Sequence, residues 1–464
     1  MPPKATLTFY GGAGEVTGAN ILFSYTSQEG ATTRILFDCG LIQGAVVYDE
    51  RNSQPFAYDV TSIDALFVSH GHIDHSGRIP KLVKEGFRGV IYSTPPTRAI
   101  GELMVVDSRG VMMKELKRRN IPLLYDETDI GHTMARWSSI EYHEEVSVGP
   151  ITARLLRAGH VLGSAMVEIT YPWVGGTRRK LVYTGDLGDP HSLLLEEAES
   201  LDNEPDYVII ESVYGDRVHE GRDVRAHRLE DAIEDTVRRG GVLMMPAFSV
   251  EKTQELLFEM NEMVEHGRIP PVPVFLDSPL AIKVTRVYGR FKKYFNKDVR
   301  DIIAAGDDVF KFARLTLSLS TEQSIAINDE PLPKIIIAGS GMSNGGRIVH
   351  HEKRYLPDPK STLLFTGYQS PRSMGRRIQE GANEVVIHGE SIPVRARIVT
   401  IGGYSAHRDS DNLLEFIHTA GDTVREVFVA LGEPSSSRYL AQRMRDYLGI
   451  KAIVPEREKE IILT

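Results

Sequence analysis

His70-Gly71-His72-Ile73-Asp74-His75 sets three imidazoles and a carboxylate within six residues. Left unpaired in a protein interior, such groups cost about 1–3 kcal/mol each, and an isolated carboxylate costs far more. Two transition-metal ions satisfy all four together. The residues just before, Ala65-Leu66-Phe67-Val68-Ser69, read as a buried strand,. Ligands on the loop after a strand end are held firmly and stay open to substrate.

Outward from this stretch, the first 200 residues carry short β-branched and aromatic runs at Leu7–Tyr10, Ile21–Tyr25, Arg34–Phe37 and Val90–Ser93,. The glycine-rich segment Gly11–Gly18 between the first two reads as a hairpin turn,. Arg98–Arg118 reads as a helix. Leu181–Asp186 and Tyr207–Glu211 read as strands that end on acids. Past residue 212 the style changes. Helices over Arg225–Arg239 and Glu251–Glu265 alternate with apolar runs at Gly241–Phe248, Val272–Asp277, Lys334–Ala338 and Ser361–Thr366, the pattern of a parallel α/β unit,. Strand-rich sequence returns near Asn383. One domain, 1–212 and 384–464, is therefore expected to be interrupted by another, 213–383.

Of the 464 residues, 41% are hydrophobic and 25% charged, ordinary for a globular protein that buries a large core,. The net charge of −9 excludes a generally basic nucleic-acid coat but not a local basic groove,. A single cysteine, Cys39, rules out an intrachain disulfide and points to a reducing compartment,. No run approaches the roughly 20 apolar residues of a membrane span, and the first residues carry no signal-peptide core. The expectation is a cytoplasmic protein with no membrane partner.

Two further ligand candidates stand at strand ends: His160, after Arg154–Gly159, and Asp186, after Gly185. With Asp38 in Leu36-Phe37-Asp38-Cys39-Gly40, the tetrad, His160 and Asp186 resemble, in order and spacing, the motifs of the metallo-β-lactamase superfamily. Glu211-Ser-Val-Tyr-Gly-Asp-Arg217 resembles motif A of its β-CASP branch, and Tyr404-Ser-Ala-His407 resembles motif B. Pro246–Leu256, Asp277-Ser-Pro-Leu-Ala281 and Gly339–Arg347 resemble the inserted domain of that branch.

The resemblance covers nearly the whole chain. It implies an α/β fold, a metallo-β-lactamase αββα sandwich with an inserted β-CASP α/β domain, of the compact two-domain type. It implies a nuclease akin to bacterial RNase J and to the endonuclease that cuts eukaryotic pre-mRNA 3′ ends. Such an enzyme hydrolyses RNA phosphodiester bonds, in processing or decay, with hydroxide activated between two zinc ions. The first zinc falls to His70, His72, His160 and Asp186. The second falls to Asp74, His75 and Asp186, which places Asp74 among the catalytic residues. Asp38 orients the ligands from behind. His407 is the general acid, with Glu211 holding its ring and raising its pKa.

One position departs from the pattern. Motif C, a histidine in RNA-cutting members, reads Val429-Ala-Leu431-Gly-Glu433. Leu431 cannot bind metal, so a weakened second site is expected, with His388 and His418 as replacement ligands to consider. DNA-processing members carry an apolar residue there, which makes a DNA nuclease the first alternative; a small-molecule metallo-hydrolase is the second. Ser343, Asn344, Gly345, Gly346 and Arg347 are candidates to hold substrate phosphate. Arg372, Arg376 and Arg377, with Arg290, Lys292 and Lys293 beside Phe291 and Tyr294, are candidates for the nucleic-acid path,. Tyr214 and His219 are candidates for base or sugar contact. Single-stranded RNA is the expected partner, and relatives of this kind add a homodimer to the expectation.

Overall fold

A computed structural model describes residues 2–44, 49–119, 121–202, 204–219, 222–367, 369–370 and 373–464. It divides into two compact units, Met1–Val218 with His407–Thr464, and His219–Ala406.

The first unit holds two seven-stranded sheets. One contains β1 (Lys4–Gly11), β2 (Asn20–Thr26), β3 (Thr32–Phe37), β4 (Ala65–Phe67), β5 (Val90–Ser93) and β6 (Trp137–Ser139), with β22 (Glu460–Leu463) outside β1. The other runs β21 (Ala452–Ile453), β20 (Glu426–Val429), β11 (Tyr207–Ile210), β10 (Arg178–Tyr183), β9 (Ala165–Pro172), β8 (Ile151–Arg157) and β7 (Glu145–Val148). Period-two alternation places the sheets face to face. Ile35, Phe37, Phe67, Leu181, Tyr183, Ile209 and Phe428 join one core between the sheets. Their neighbours turn outward: Leu36 and Leu66 pack with Ile79, Leu82 and Val83 of the helix Ile79–Lys84. Val182, Val208 and Val427 pack with residues of the helices Ser410–His418 and Pro434–Leu448. The layers are helix, sheet, sheet, helix, as the motifs imply.

Strand direction gathers the chemistry. β3 and β4 are parallel neighbours, as are β10, β11 and β20, and β8 runs the same way as β10 through two antiparallel steps. Asp38, the tetrad, His160, Asp186, Glu211 and Leu431 all follow the ends of these strands, so they share one edge of the sandwich.

The second unit is a six-stranded parallel sheet. Its order is β14 (Leu315–Leu317), β13 (Val274–Asp277), β15 (Lys334–Ala338), β12 (Val242–Pro246), β16 (Thr362–Phe365) and β19 (Arg397–Thr400). β12, β13, β15 and β16 are buried along their whole length, as central parallel strands covered on both faces must be,. From β12 the chain passes to β13 on one side. From β15, its neighbour, it passes to β16 on the other.

The boundary differs from expectation. Residues 384–406 remain in the inserted unit rather than returning to the sandwich. β19 extends the parallel sheet beside β16, and β17 (Glu384–Ile387) pairs with β18 (Glu390–Pro393) in a hairpin whose Val385, Ile387 and Ile392 join the core of this unit. The unit also begins at His219, six residues past the expected start. Among the described residues, no helix is long and apolar enough to cross a membrane.

Candidate metal centre

Asp38 follows β3 in the left-handed backbone region, φ 56°, and is fully buried. Its Oδ1 accepts from the Ser69 amide at 2.7 Å. Its Oδ2 accepts from the Ser69 hydroxyl at 2.7 Å and the Tyr183 hydroxyl at 2.6 Å, and meets His75 Nδ1 at 2.7 Å. With Nδ1 on Asp38, His75 turns Nε2 to within 3.4 Å of Asp186 Oδ1. That Nε2 is buried and makes no hydrogen bond. Ser69 Oγ also lies 3.0 Å from His70 Nδ1, so one hydroxyl links Asp38 to a second ring.

The reactive edges of the remaining residues converge. His70 Nε2 lies 3.0 Å from His72 Nδ1 and 3.5 Å from Asp186 Oδ2. His160 Nε2 lies 3.3 Å from the same His72 atom and 3.6 Å from Asp186 Oδ2. The Ser164 hydroxyl accepts from the His160 amide at 2.9 Å and fixes that turn. Donor atoms of His70, His72, His160 and Asp186 all fall within 4.8 Å of one another.

Zinc bonds of about 2.0–2.1 Å in a tetrahedron set ligand atoms roughly 3.3 Å apart, so these four residues fit the metal. Protonation agrees. Burial holds His70 well below the usual imidazole range, and brings His72 down to about 4, so both rings are neutral, the form that ligates,. Burial also works against charge on His75, but Asp186 and Asp38 outweigh it and hold the ring well above its usual pKa. The acids call for a cation at this point. Asp74 is half-buried, and its carboxyl is raised by burial and, more weakly, by Asp186.

Glu211 and His407 stand against this set. Glu211 is fully buried. Its Oε1 accepts from the Leu187 amide at 2.7 Å and from His407 Nδ1 at 3.1 Å. Donor atoms of Asp186, Glu211 and His407 fall within 4.8 Å of one another. A bridge between Gly188 and His407, and the Arg408 amide donating to Leu187 at 3.0 Å, join motif B to the Asp186 loop. Burial opposes the charged form of His407, but the Glu211 carboxylate and its hydrogen bond outweigh that and bring the ring up to about 9. Tyr214 lies beside it, ring centroids 6.0 Å apart.

The other candidates stand elsewhere. Leu431 is fully buried in the core between the sheets, φ 50°, its amide on the Gly12 carbonyl at 2.6 Å. A Cβ on Gly12 would meet its Cδ2 at 2.5 Å, so the leucine is packed as a core residue against the glycine turn. Neither replacement ligand joins the donor set. His388 belongs to the second unit, stacked on His350 at 4.9 Å, and His418 is exposed near the end of the helix Ser410–His418.

In the second unit, Ser343 is buried with its hydroxyl on Glu352. The Asn344 side-chain oxygen accepts from the Met374 amide at 2.9 Å. Arg347, expected to hold phosphate, is committed to the fold: Asp277 at 2.7 Å and the carbonyls of Ser318 and Leu319 at 2.9 and 3.1 Å take its guanidinium. Gly345 and Gly346 complete the turn, Gly346 at φ 73°. Arg376 pairs with Glu380 at 2.7 Å, and Arg377 is exposed. Arg372 lies outside the described residues. Arg290 and Lys293 lie over Phe291 and Tyr294, 5.7 and 5.3 Å from the ring centres.

Sequence reading did not single out Ser69 or Tyr183. Ser69 precedes the first ligand, and Tyr183 occupies an inward position of β10 three residues before Asp186. Strand alternation carries that second signal.

An αββα sandwich with a histidine–aspartate donor set at its loop edge defines a metallo-hydrolase of the metallo-β-lactamase type. Three family models match the chain: a beta-lactamase superfamily domain over residues 33–234, a Beta-Casp domain over 253–378 and a Zn-dependent metallo-hydrolase RNA specificity domain over 391–455. Ribonuclease TTHA0252 of Thermus thermophilus is 36% identical over 410 residues, 88% of this chain and 89% of that protein. An RNase J-like protein of Methanocaldococcus jannaschii is 31% identical, covering 97% and 98%. The transcription termination factor FttA of Methanosarcina mazei is 32% identical, covering 96% of this chain and 69% of its own. A crystal structure of a protein of unknown function from Enterococcus faecalis shares the fold with a TM-score of 0.54 at 15% identity, covering 99% and 100%. The chain belongs to the β-CASP family of metallo-β-lactamase-fold metallo-hydrolases.

Proposed function

We propose that the protein is a zinc-dependent ribonuclease that hydrolyses phosphodiester bonds of single-stranded RNA in processing or decay, and that it acts in the cytoplasm as a homodimer. The observation that carries this reading is the Glu211–His407 pair, set within 4.8 Å of Asp186 in a chain of this family. A proton donor beside a metal ligand suits a reaction whose leaving oxygen needs a proton. RNA is chosen because the Thermus relative is named a ribonuclease and the model matched at 391–455 is described by RNA specificity.

In this reading, His70, His72, His160 and Asp186 hold one zinc, and Asp74, His75 and Asp186 hold a second. Bound zinc supplies Lewis acidity toward water and phosphate oxygens. The chain's own residues do the rest. Asp38 fixes the His75 ring so that only Nε2 faces the ligand edge. Glu211 engages His407 Nδ1, leaving Nε2 to carry the transferable proton, and the charge of Glu211 keeps that ring protonated at neutral pH. As a hydroxide oxygen, its water having already released a proton to solvent, bonds to phosphorus and the P–O3′ bond breaks, His407 Nε2 gives its proton to O3′. The products are a 3′-hydroxyl and a 5′-phosphate. Leu431 supplies no imidazole to the second zinc, so that site is the weaker of the two.

Labelled single-stranded RNA and DNA of one sequence, incubated side by side with zinc, test the reading. RNA cut into 5′-phosphate products with DNA spared is the expected result. DNA cut with RNA untouched overturns it, and makes Leu431 the mark of a DNA enzyme.

A further inference from the structure

The sheet of the second unit has a topological switch point between β12 and β15, whose connections leave in opposite directions. Open α/β sheets bind ligands at the carboxyl ends of strands at such a point. Two segments meet there. Ala247 follows β12 and donates its amide to Ala338, the last residue of β15, at 3.0 Å. Phe248 comes next and is 44% exposed, although the apolar residues around it in sequence, Met245, Ala247 and Val250, are buried.

Its backbone is fixed. The Phe248 carbonyl accepts from both the Thr253 amide, at 3.2 Å, and the Thr253 hydroxyl, at 2.7 Å, in the first turn of the helix Lys252–Glu265. Its ring lies on Gly341 of the glycine-rich turn after β15. A Cβ at that glycine would come within 2.8–3.0 Å of three ring atoms, so only glycine lets the ring lie this close,. The Gly341 carbonyl is held in turn by the Gln369 side chain at 2.9 Å. An exposed aromatic ring on a fixed backbone, with one side against a glycine backbone, is built to receive a flat group on its open face.

We propose that Phe248 is a stacking platform for one nucleobase of the RNA, seated at the switch-point crevice of the inserted unit. The proposal rests on the ribonuclease reading for the identity of the ligand. Every base has a π-face, so the platform sets affinity and register along the strand without choosing among bases.

Equilibrium binding of labelled oligoribonucleotides, measured by fluorescence anisotropy with metal chelated to prevent cleavage, tests it. One series is unmodified, and another carries a single abasic residue walked along the strand. Phe248→Ala is expected to weaken the unmodified RNA about 5- to 150-fold, the range that a base stacked on an aromatic ring is worth, and Phe248→Trp to restore binding. One abasic position should cost the parent a similar factor and cost Phe248→Ala nothing. A parent that binds and cleaves RNA but shows no abasic position special to Phe248 overturns the platform alone. A parent that neither binds nor cleaves any of the RNAs overturns the platform and the ribonuclease reading together.

Discussion

Two buried carboxylates, one in each unit, are met in opposite ways. In the second, Asp277 is fully buried, and each of its needs is met from within: Arg347 at 2.7 Å, His351 at 2.8 Å and the Ser324 hydroxyl at 2.6 Å. At the sandwich edge of the first unit, Asp186 faces His70, His75 and His160 at 3.4–3.6 Å, longer than any of the contacts around Asp277. The first arrangement is closed and holds a fold together. The second is spaced for a metal ion between its members. Histidine–carboxylate clusters are therefore told apart by whether their distances suit direct bonds or a shared metal.

The largest contrast comes from removing a member of the open cluster. His72→Ala should abolish RNA cleavage, by roughly a thousandfold or more, and lower bound zinc measured by elemental analysis. Full zinc content in that variant would break the comparison. His407→Ala should slow single-turnover cleavage by roughly 10²- to 10⁴-fold with zinc retained; zinc loss would make His407 a ligand instead. The pH profile sharpens this. A general acid must be protonated, so the parent rate should fall as pH rises through about 9. Glu211→Gln removes the charge that holds His407 up, so the same fall should move to lower pH. An unmoved profile would deny Glu211 its role.

In the closed cluster, Asp277→Ala leaves Arg347 and His351 without their buried partner and should cost about 3–5 kcal/mol of unfolding free energy, with zinc content unchanged. Beneath the glycine-rich turn, burial raises Glu352 to about 8. Its folded pKa lies above its unfolded value, so the stability that it contributes is complete below about 4.5 and is lost as pH rises through about 8. Glu352→Gln should flatten the fall in melting temperature between pH 6 and 9; an equal fall in both proteins would contradict it. Smallest is Leu431→His, expected to tighten the second zinc about tenfold in chelator competition. Unchanged affinity would mean that position 431 serves only the core.

The sequence makes the sandwich legible because its strands are short β-branched and aromatic runs and its ligands stand at strand ends, where a linear motif and a spatial cluster coincide. Asp38, 32 residues before His70, is legible only through the family pattern, since nothing local announces that its carboxylate reaches Ser69, Tyr183 and His75. The return point at Asn383 misleads for a physical reason. β17 to β19 are as strand-like as any segment of the sandwich, and only pairing with β16 assigns β19 to the inserted sheet. Arg347 misleads in the same way. A basic residue after a glycine run suits phosphate, yet Asp277, 70 residues earlier, already takes its charge.

Metal content and RNA cleavage, followed on one preparation through chelator stripping and zinc restoration, bear most directly on the central claim. Loss of strand scission with the metal, and its return when zinc is restored, is the predicted result. Cleavage by the stripped protein, or none after zinc has rebound, would contradict it.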